Sequence, residues 1–397
     1  MQYRVLLFQP YLRKHILNFA HGLKQFDFVY QKKSGYSYAN LPSFKEEIQR
    51  RKDRSPVVRL RRLLGVPNIR IKLTRDADLL FTYGCLLITN KPYATYVETG
   101  VALYNYDVQI AKNPIARFLV AWLATRSNCK KLIFLSEAGR RSFFATVHYS
   151  QKVERILRAK STVIYPFIES EPTAPKRSSP KLKLLFVGLF YMKGGMESAH
   201  AYEALRQKYK NVTLTVITPT HMLRTKDKGY LESLPGLHLL DAKFSAAEMN
   251  AMYREHDIFV LPTYREGFGL VVIEALSFAM PVIVTDQYAV AEMAIDGKNG
   301  FVYPNHLLKD YNPKTYEMLG RYHNPKDFYA DLFRFQKEGQ LQPVEEFLIS
   351  SIEQYLNKPA LLTTHSKGSI ALFNKKFHPK VIGRQIEQVF LSAINTR

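Results

Sequence analysis

Short, nearly continuous apolar runs punctuate the chain. In its first part they fall at 3–8 (YRVLLF), 76–81 (DADLLF), 94–98 (ATYVE), 131–135 (KLIFL) and 161–165 (STVIY). Runs of this length predict strands buried on both faces of a parallel sheet. Helix-length segments lie between them at 12–25 and 114–128. Pro114 opens the second, and its apolar residues cover most of its circumference. That is the pattern of a core helix, or of one that dips into a membrane. Ser136 stands where it can N-cap a further helix. The pattern stops at 169–180, ESEPTAPKRSSP, which predicts a linker or domain boundary. It resumes with strands at 182–187, 212–217, 237–240, 258–261, 282–284 and 299–303, and helices near 196–209, 246–255 and 270–280. Ser245 and Glu248 form a capping box for the second of these helices. Residues 305–345, with Pro313, Pro325 and Pro343, read as a less regular insertion. A helix follows at 346–357. The last segment, HPKVIGRQIEQVFLSAIN, predicts an amphipathic helix with Val381, Ile382, Ile386, Val389 and Phe390 on one side. Strand–helix alternation of this kind belongs to the α/β class.

The most informative stretch is 257–286, DIFVLPTYREGFGLVVIEALSFAMPVIVTD. It reads strand, glycine loop, helix, strand, with Pro262 closing the first strand and Pro281 stopping the helix. Two carboxylates mark the head of that helix, Glu266 in the loop and Glu274 about one turn in. A helix N-terminus presents free N–H groups and partial positive charge, which suit a phosphate. Carboxylates beside it suit donors such as sugar hydroxyls. The unit therefore predicts a site for a phosphorylated sugar.

Composition narrows the partners. With 397 residues the chain is long enough for two domains, and its net charge of +23 favours an anionic partner. The cations concentrate at 49–75, where ten Lys and Arg residues, from Arg50 to Arg75, stand against Asp53 alone. A solvated basic face and a surface for anionic lipid or a lipid-phosphate acceptor both fit this stretch. Nucleic acid fits less well, because no interleaved aromatics or binding motif accompany it. Cys85 and Cys129 lack metal-ligand spacing and read as reduced thiols of a cytoplasmic protein. No signal peptide or membrane-spanning run is expected, so membrane contact would be peripheral, on the inner face.

The motif EGFGLVVIE at 266–274 resembles the E-x7-E motif of retaining glycosyltransferases of the glycosyl transferases group 1 kind. DIFVLPTYREGFGLVVIEAL, PVIVTD and DGKNGFVYP follow in the usual order of that family. VGLFYMKGG at 187–195 resembles its first glycine loop. The resemblance covers roughly 182–304; over 1–168 it rests on the alternation and on KLIFLSEAGRRS. It implies a GT-B fold, two Rossmann-like domains facing across a cleft. The corresponding division is an acceptor-binding domain at 1–168, a linker at 169–180 and a nucleotide-sugar domain at 181–376 that includes 305–345. A C-terminal helix, 377–397, would cross back to the first domain.

It also implies roles. Glu266 would contact donor sugar hydroxyls and Glu274 the ribose. Gly267, Phe268, Gly269 and Leu270 would bring backbone N–H groups to the sugar and phosphate. Lys193, in the loop with Gly188 and Gly194, would neutralise the diphosphate. Two departures stand out. Leu189 occupies the place of a second diphosphate cation, for which Arg265 is the candidate replacement. Glu98 stands at or near the place of a histidine that faces the donor sugar, as a contact, a base or a structural carboxylate. The implied reaction is retaining transfer of a sugar from a nucleotide-diphosphate sugar to a hydroxyl acceptor, a glycan or lipid-linked saccharide. It needs no metal or other cofactor and no nucleic-acid partner. A nucleotide-sugar epimerase and a non-catalytic binding subunit of the same fold remain alternatives. A phosphorylase would need a pyridoxal site, for which no motif is present.

Overall fold

Two six-stranded sheets, both wholly parallel, form the frame of the protein. The computed structural model describes residues 2–8, 16, 18, 20, 22–30, 64–169, 173–322 and 324–395. The first sheet contains β1 (Tyr3–Leu7), β2 (Phe26–Tyr30), β4 (Leu79–Tyr83), β6 (Tyr93–Val97), β7 (Cys129–Phe134) and β8 (Ser161–Val163), in the order β2-β1-β4-β6-β7-β8. A separate pair, β3 (Ile69–Ile71) and β5 (Leu86–Ile88), lies beside it. The second sheet contains β9 (Leu182–Val187), β10 (Val212–Thr218), β11 (Leu237–Asp241), β12 (Ile258–Leu261), β13 (Val282–Thr285) and β14 (Gly300–Tyr303). Its order, β11-β10-β9-β12-β13-β14, runs outward in both directions from a reversal between β9 and β12. In such sheets ligands bind outside the carboxyl ends of the strands at the reversal.

The strands read as continuous apolar runs because helices cover both faces. Every residue of β6, β12 and β13 is buried. Helix starts follow their capping residues. Ser136 accepts from the Gly139 N–H at 2.9 Å, and Ser245 and Glu248 complete their capping box. The C-terminal helix, Pro379–Asn395, lies on the first sheet rather than on the second. Phe390 meets Phe26 and Phe81 with ring centroids 5.5 and 5.2 Å apart.

Several elements depart from the expectations. The final turn of the helix Leu270–Ser277 unwinds before Pro281, through Ala279 in a left-handed conformation. The segment 305–345 is more regular than its prolines suggested. Pro325 occupies the first turn of a helix, Pro325–Lys337, capped by Asn324 and burying Phe328, Tyr329 and Leu332. The helix Ala360–Lys376 escaped notice because polar residues, His365, Ser366 and Ser369, interrupt a buried face that also holds Leu362, Leu372 and Phe373. Ser366 and Ser369 donate to the carbonyls of Ala279 and Met280 at 2.6 and 2.8 Å, and Gly368 lies against the Lys298 carbonyl. The proline-rich segment near 176 is pinned down. Lys176 donates to the carbonyls of Tyr253 and Arg254, at the end of the helix Ala246–Glu255, and burial lowers its ammonium to about 8. Of the segment 12–25, residues 16, 18, 20 and 22 are helical, while 23–25 are not and turn the chain into β2. The basic positions 50–62 lie outside the described residues.

The two halves touch through named contacts. Glu292, of the second half, accepts from the backbone N–H groups of Glu137 and Ala138 at 3.0 and 2.7 Å, and from the Tyr165 hydroxyl at 2.8 Å. It thus occupies the N-terminus of the helix Glu137–Thr146. The stretch 314–318 crosses to the same helix. Arg141 stands 4.2 Å from the Tyr316 ring, and the Met318 N–H meets Thr146 Oγ1 at 2.9 Å.

Candidate active site

Lys193 and Glu266 meet at the carboxyl ends of β9 and β12, where the second sheet reverses its order. Lys193 follows β9 by a short loop; Glu266 follows β12 by another. The Lys193 ammonium lies 2.6 Å from Glu266 Oε2 and donates at 2.6 Å to the Arg265 carbonyl. Both side chains are only 15% exposed. The other carboxylate oxygen of Glu266, Oε1, accepts from the N–H groups of Gly267 and Phe268 at 3.0 and 3.3 Å, which fixes the turn.

Glycine is required twice here by packing. A side chain at Gly188 would meet Lys193 Cγ at 2.8 Å. Gly194 has φ +74° and its Cα faces the Pro262 carbonyl, so the loops after β9 and β12 can close on each other only through a residue without Cβ. Two helices begin at this point. Gly194 caps Gly195–Lys208 and Gly269 caps Leu270–Ser277, and neither cap supplies a side-chain hydrogen bond. Both N-termini therefore retain partial positive charge beside the Lys193 ammonium, an arrangement suited to an anion.

Glu274 lies one turn into the second helix, on the side of Leu270. The Tyr253 hydroxyl donates to its Oε2 at 2.9 Å. Glu274 lines a narrow recess with Asn18, Glu169, Asn250 and Ser277, so both halves of the chain form its walls.

Glu98 comes from the other half, directly after β6. The hydroxyls of Tyr83 and Tyr106 donate to its Oε2 at 2.9 and 3.1 Å. Its Oε1 faces the glycine turn: a Cβ on Gly267 would come within 2.8 Å of it. Tyr106 reaches Glu98 from a strained loop, since Asn105 and Tyr106 both adopt left-handed backbone, with φ near +55° and +57°. The structure thus brings Glu98, Lys193, Glu266, Gly267 and Phe268 to one cleft, with Glu274 beyond the turn. Arg265 turns its guanidinium over the Phe328 ring, 5.7 Å from the centroid, and its charge bears on Asp310. On the wall beside Lys193, the Tyr191 hydroxyl donates to Asp227 at 2.6 Å and accepts from the Arg224 N–H at 2.9 Å.

Sequence reasoning missed Tyr83, Tyr106, Tyr253 and Tyr191. Tyr83 ends a strand of the parallel sheet, a position where ligand-facing residues gather. That was the available signal. The other three occupy places that no periodicity marks.

The comparisons agree with this architecture. Residues 181–319 match the family described as glycosyl transferases group 1. A D-inositol 3-phosphate glycosyltransferase of Arthrobacter is 24% identical over 201 residues, 47% of this chain and 47% of its own. An uncharacterized glycosyltransferase of Methanocaldococcus jannaschii is 26% identical over 60% of this chain and 63% of its own. The capsular polysaccharide glycosyltransferase CapM of Staphylococcus aureus is 30% identical over 28% of this chain and 29% of its own. The chain therefore matches less than two thirds of each relative's length. Among solved structures, a glycosyltransferase of Rickettsia africae superposes over 100% of both chains with TM-score 0.59 at 11% identity. The HepE protein of Anabaena, in complex with UDP-glucose, superposes over 98% of this chain and 100% of its own, with TM-score 0.57 at 12% identity. The fold is that of the GT-B glycosyltransferases, two Rossmann-like halves with the last helix returning to the first.

Proposed function

We propose that the protein is a retaining glycosyltransferase that moves a sugar from a nucleotide-diphosphate sugar to a hydroxyl acceptor. The observation that carries this reading is the Lys193–Glu266 pair, set between two helix N-termini at the sheet reversal. The ammonium and the carboxylate satisfy each other. A donor entering the cleft exchanges that pair for better-matched partners. Its diphosphate takes Lys193 and the helix N-termini, and its sugar hydroxyls donate to Glu266. Glu274 then accepts from the ribose, and Gly188, Gly194, Gly267, Phe268, Gly269 and Leu270 line the path with backbone. Arg265 is the candidate second cation, supplied from the loop after β12.

The step breaks the bond between the sugar C1 and the diphosphate oxygen and forms one between C1 and the acceptor oxygen on the same face. The acceptor proton passes to the departing phosphate. Negative charge grows on the leaving diphosphate, so preorganised positive charge there lowers the barrier. Lys193 and the helix dipoles supply it, and the reaction proceeds without a metal. Glu98, held by two tyrosines and aimed at the glycine turn, contacts the reacting sugars from the acceptor side. A D-inositol 3-phosphate glycosyltransferase and a glycosyltransferase of capsular polysaccharide biosynthesis among the relatives support an acceptor that is a small phosphorylated polyol, a glycan or a lipid-linked saccharide.

The test is a thermal-shift panel of nucleotides and nucleotide sugars, headed by UDP and UDP-glucose. A ligand at a hundredfold excess over its Kd adds about 2.7 kcal/mol of stability. A shift with a nucleotide diphosphate that disappears in Lys193→Ala supports the reading. No shift with any nucleotide sugar overturns it. Incubating the donor alone and recovering an isomer would identify an epimerase instead.

A further inference from the structure

We propose that the outer face of the helix Pro114–Thr125 is a docking surface for an anionic phospholipid membrane. The helix is apolar on two sides. Ala116, Val120, Leu123 and Ala124 are buried within the first half. Ile115, Phe118 and Trp122 are 61%, 66% and 44% exposed. Their spacing of three and four residues places them along one stripe. A surface helix in water ordinarily turns polar residues outward, so an outer stripe of Ile, Phe and Trp calls for a cover. The patch extends past the helix start. Leu64 is 54% exposed and adjoins Gly65, whose Cα packs against Asn113, the N-cap of this helix.

Charge identifies the cover. From Val108 to Ser136 the sequence holds no Asp or Glu, while Lys112, Arg117, Arg126 and Lys130 fall in that interval; Lys131 faces the other way, toward Gln385 and Gln388 of the last helix. The Arg126 guanidinium stands 4.9 Å from the Trp122 ring, joining a cation to the aromatic end of the stripe. The adjoining helix Gln151–Lys160 carries one acid, Glu154, and it is paired with Arg158. An apolar stripe bordered by cations, on a helix that itself carries no acid, matches the interface of an anionic bilayer, where side chains enter the acyl boundary and cations meet phosphates. Tryptophan favours that boundary. The helix ends suit it too. Asn113 caps the first N–H groups, and Lys160 donates to the carbonyls of Ala124, Thr125 and Arg126. Few backbone groups would therefore lose hydrogen bonds on entering the interface. At 12 residues the helix is about 18 Å long, too short to span, so it lies in the membrane plane. This surface is separate from the Lys193–Glu266 site and stands whether or not transfer chemistry occurs there.

Trp122 is the single tryptophan of the chain, which makes it a reporter of this face. The experiment titrates the full-length protein with phosphatidylcholine vesicles, with and without phosphatidylglycerol. Tryptophan emission, quenching by brominated acyl chains and co-sedimentation are read together. Anionic vesicles are expected to shift Trp122 emission to the blue and to quench it through the bromines, with binding that weakens as salt rises. The variant I115S/F118S should lower partitioning about tenfold or more. Unchanged Trp122 emission with anionic vesicles overturns the proposal. So does binding undiminished in I115S/F118S, which would locate the attraction in charge elsewhere. Concentration-dependent self-association without vesicle binding would assign the face to a second copy. Bromine quenching in the wild-type protein decides the matter even where the variant folds poorly.

Discussion

Replacing Glu197 by glutamine converts a buried electrostatic cost into a pH dependence that can be measured. Glu197 lies in the first turn of the helix Gly195–Lys208, just behind the Lys193 loop, and is fully buried. Its Oε1 accepts from Gln336 at 2.8 Å, while its Oε2 and the buried Tyr264 hydroxyl have no hydrogen-bond partner among the described residues. Burial pushes the carboxyl up from 4.5 to about 7; the Gln336 bond and His200 oppose the rise, and Glu345 adds to it. The native protein thus holds a proton that the unfolded chain releases at lower pH. The stabilisation from this group is fully present below pH 4.5 and is lost as pH rises through 7. At 1.36 kcal/mol per pH unit the loss amounts to roughly 3 kcal/mol. Glutamine keeps the shape and the Gln336 contact but carries no charge. Glu197→Gln is therefore expected to match the wild type within about 1 kcal/mol at pH 5 and to exceed it by roughly 2–3 kcal/mol at pH 8. His200, raised by its hydrogen bond to Glu345, titrates in both proteins and largely cancels in the difference. Urea denaturation followed by circular dichroism at both pH values measures it. An equal difference at pH 5 and pH 8, or a less stable variant at pH 8, would refute the reasoning.

Lys193→Ala strands the largely buried Glu266 carboxylate, so urea denaturation should show a loss of about 1–3 kcal/mol along with the lost response to nucleotide diphosphates. Gly194→Ala places a Cβ against the Pro262 carbonyl at φ +74° and should cost about 2 kcal/mol or more, read as a lowered urea midpoint. Glu98→Ala should leave the UDP thermal shift intact and lower turnover on the order of 100-fold, since Glu98 acts from the opposite half; unchanged turnover would make it a structural carboxylate. Phe390→Ala, at the T-shaped contacts that dock the last helix, should destabilise by about 3–5 kcal/mol by thermal or urea unfolding.

The sheets were legible in the sequence because a strand buried on both faces leaves an unbroken apolar run, as at 182–187 and 258–261. Glu266 and Glu274 were legible because a strand, a glycine turn and a helix carry them in one contiguous stretch. Lys193 needed a second stretch, but that too follows a clear strand. The tyrosines around Glu98 were not legible. Tyr83 and Tyr106 are joined to it only by the fold, and Tyr106 depends on a left-handed backbone that no residue pattern announces. The helix Ala360–Lys376 stayed hidden for a different reason: His365, Ser366 and Ser369 interrupt its buried face between Leu362 and the pair Leu372 and Phe373, which breaks the apolar stripe.

The Glu292 contact has a consequence for anion binding. The helix Glu137–Thr146 has an N-terminus that would attract a phosphate, and the protein fills it with a carboxylate of its own. Because the two are parts of one chain, that carboxylate competes at an effective concentration on the order of millimolar or more. A free phosphate must exceed that level merely to share the position. An acceptor that carries phosphate to this helix would have to evict a tethered rival, and in doing so would release one of the fastenings between the two halves. Occupancy of that helix terminus would then bear on anion selectivity and on one of the contacts that hold the two halves together.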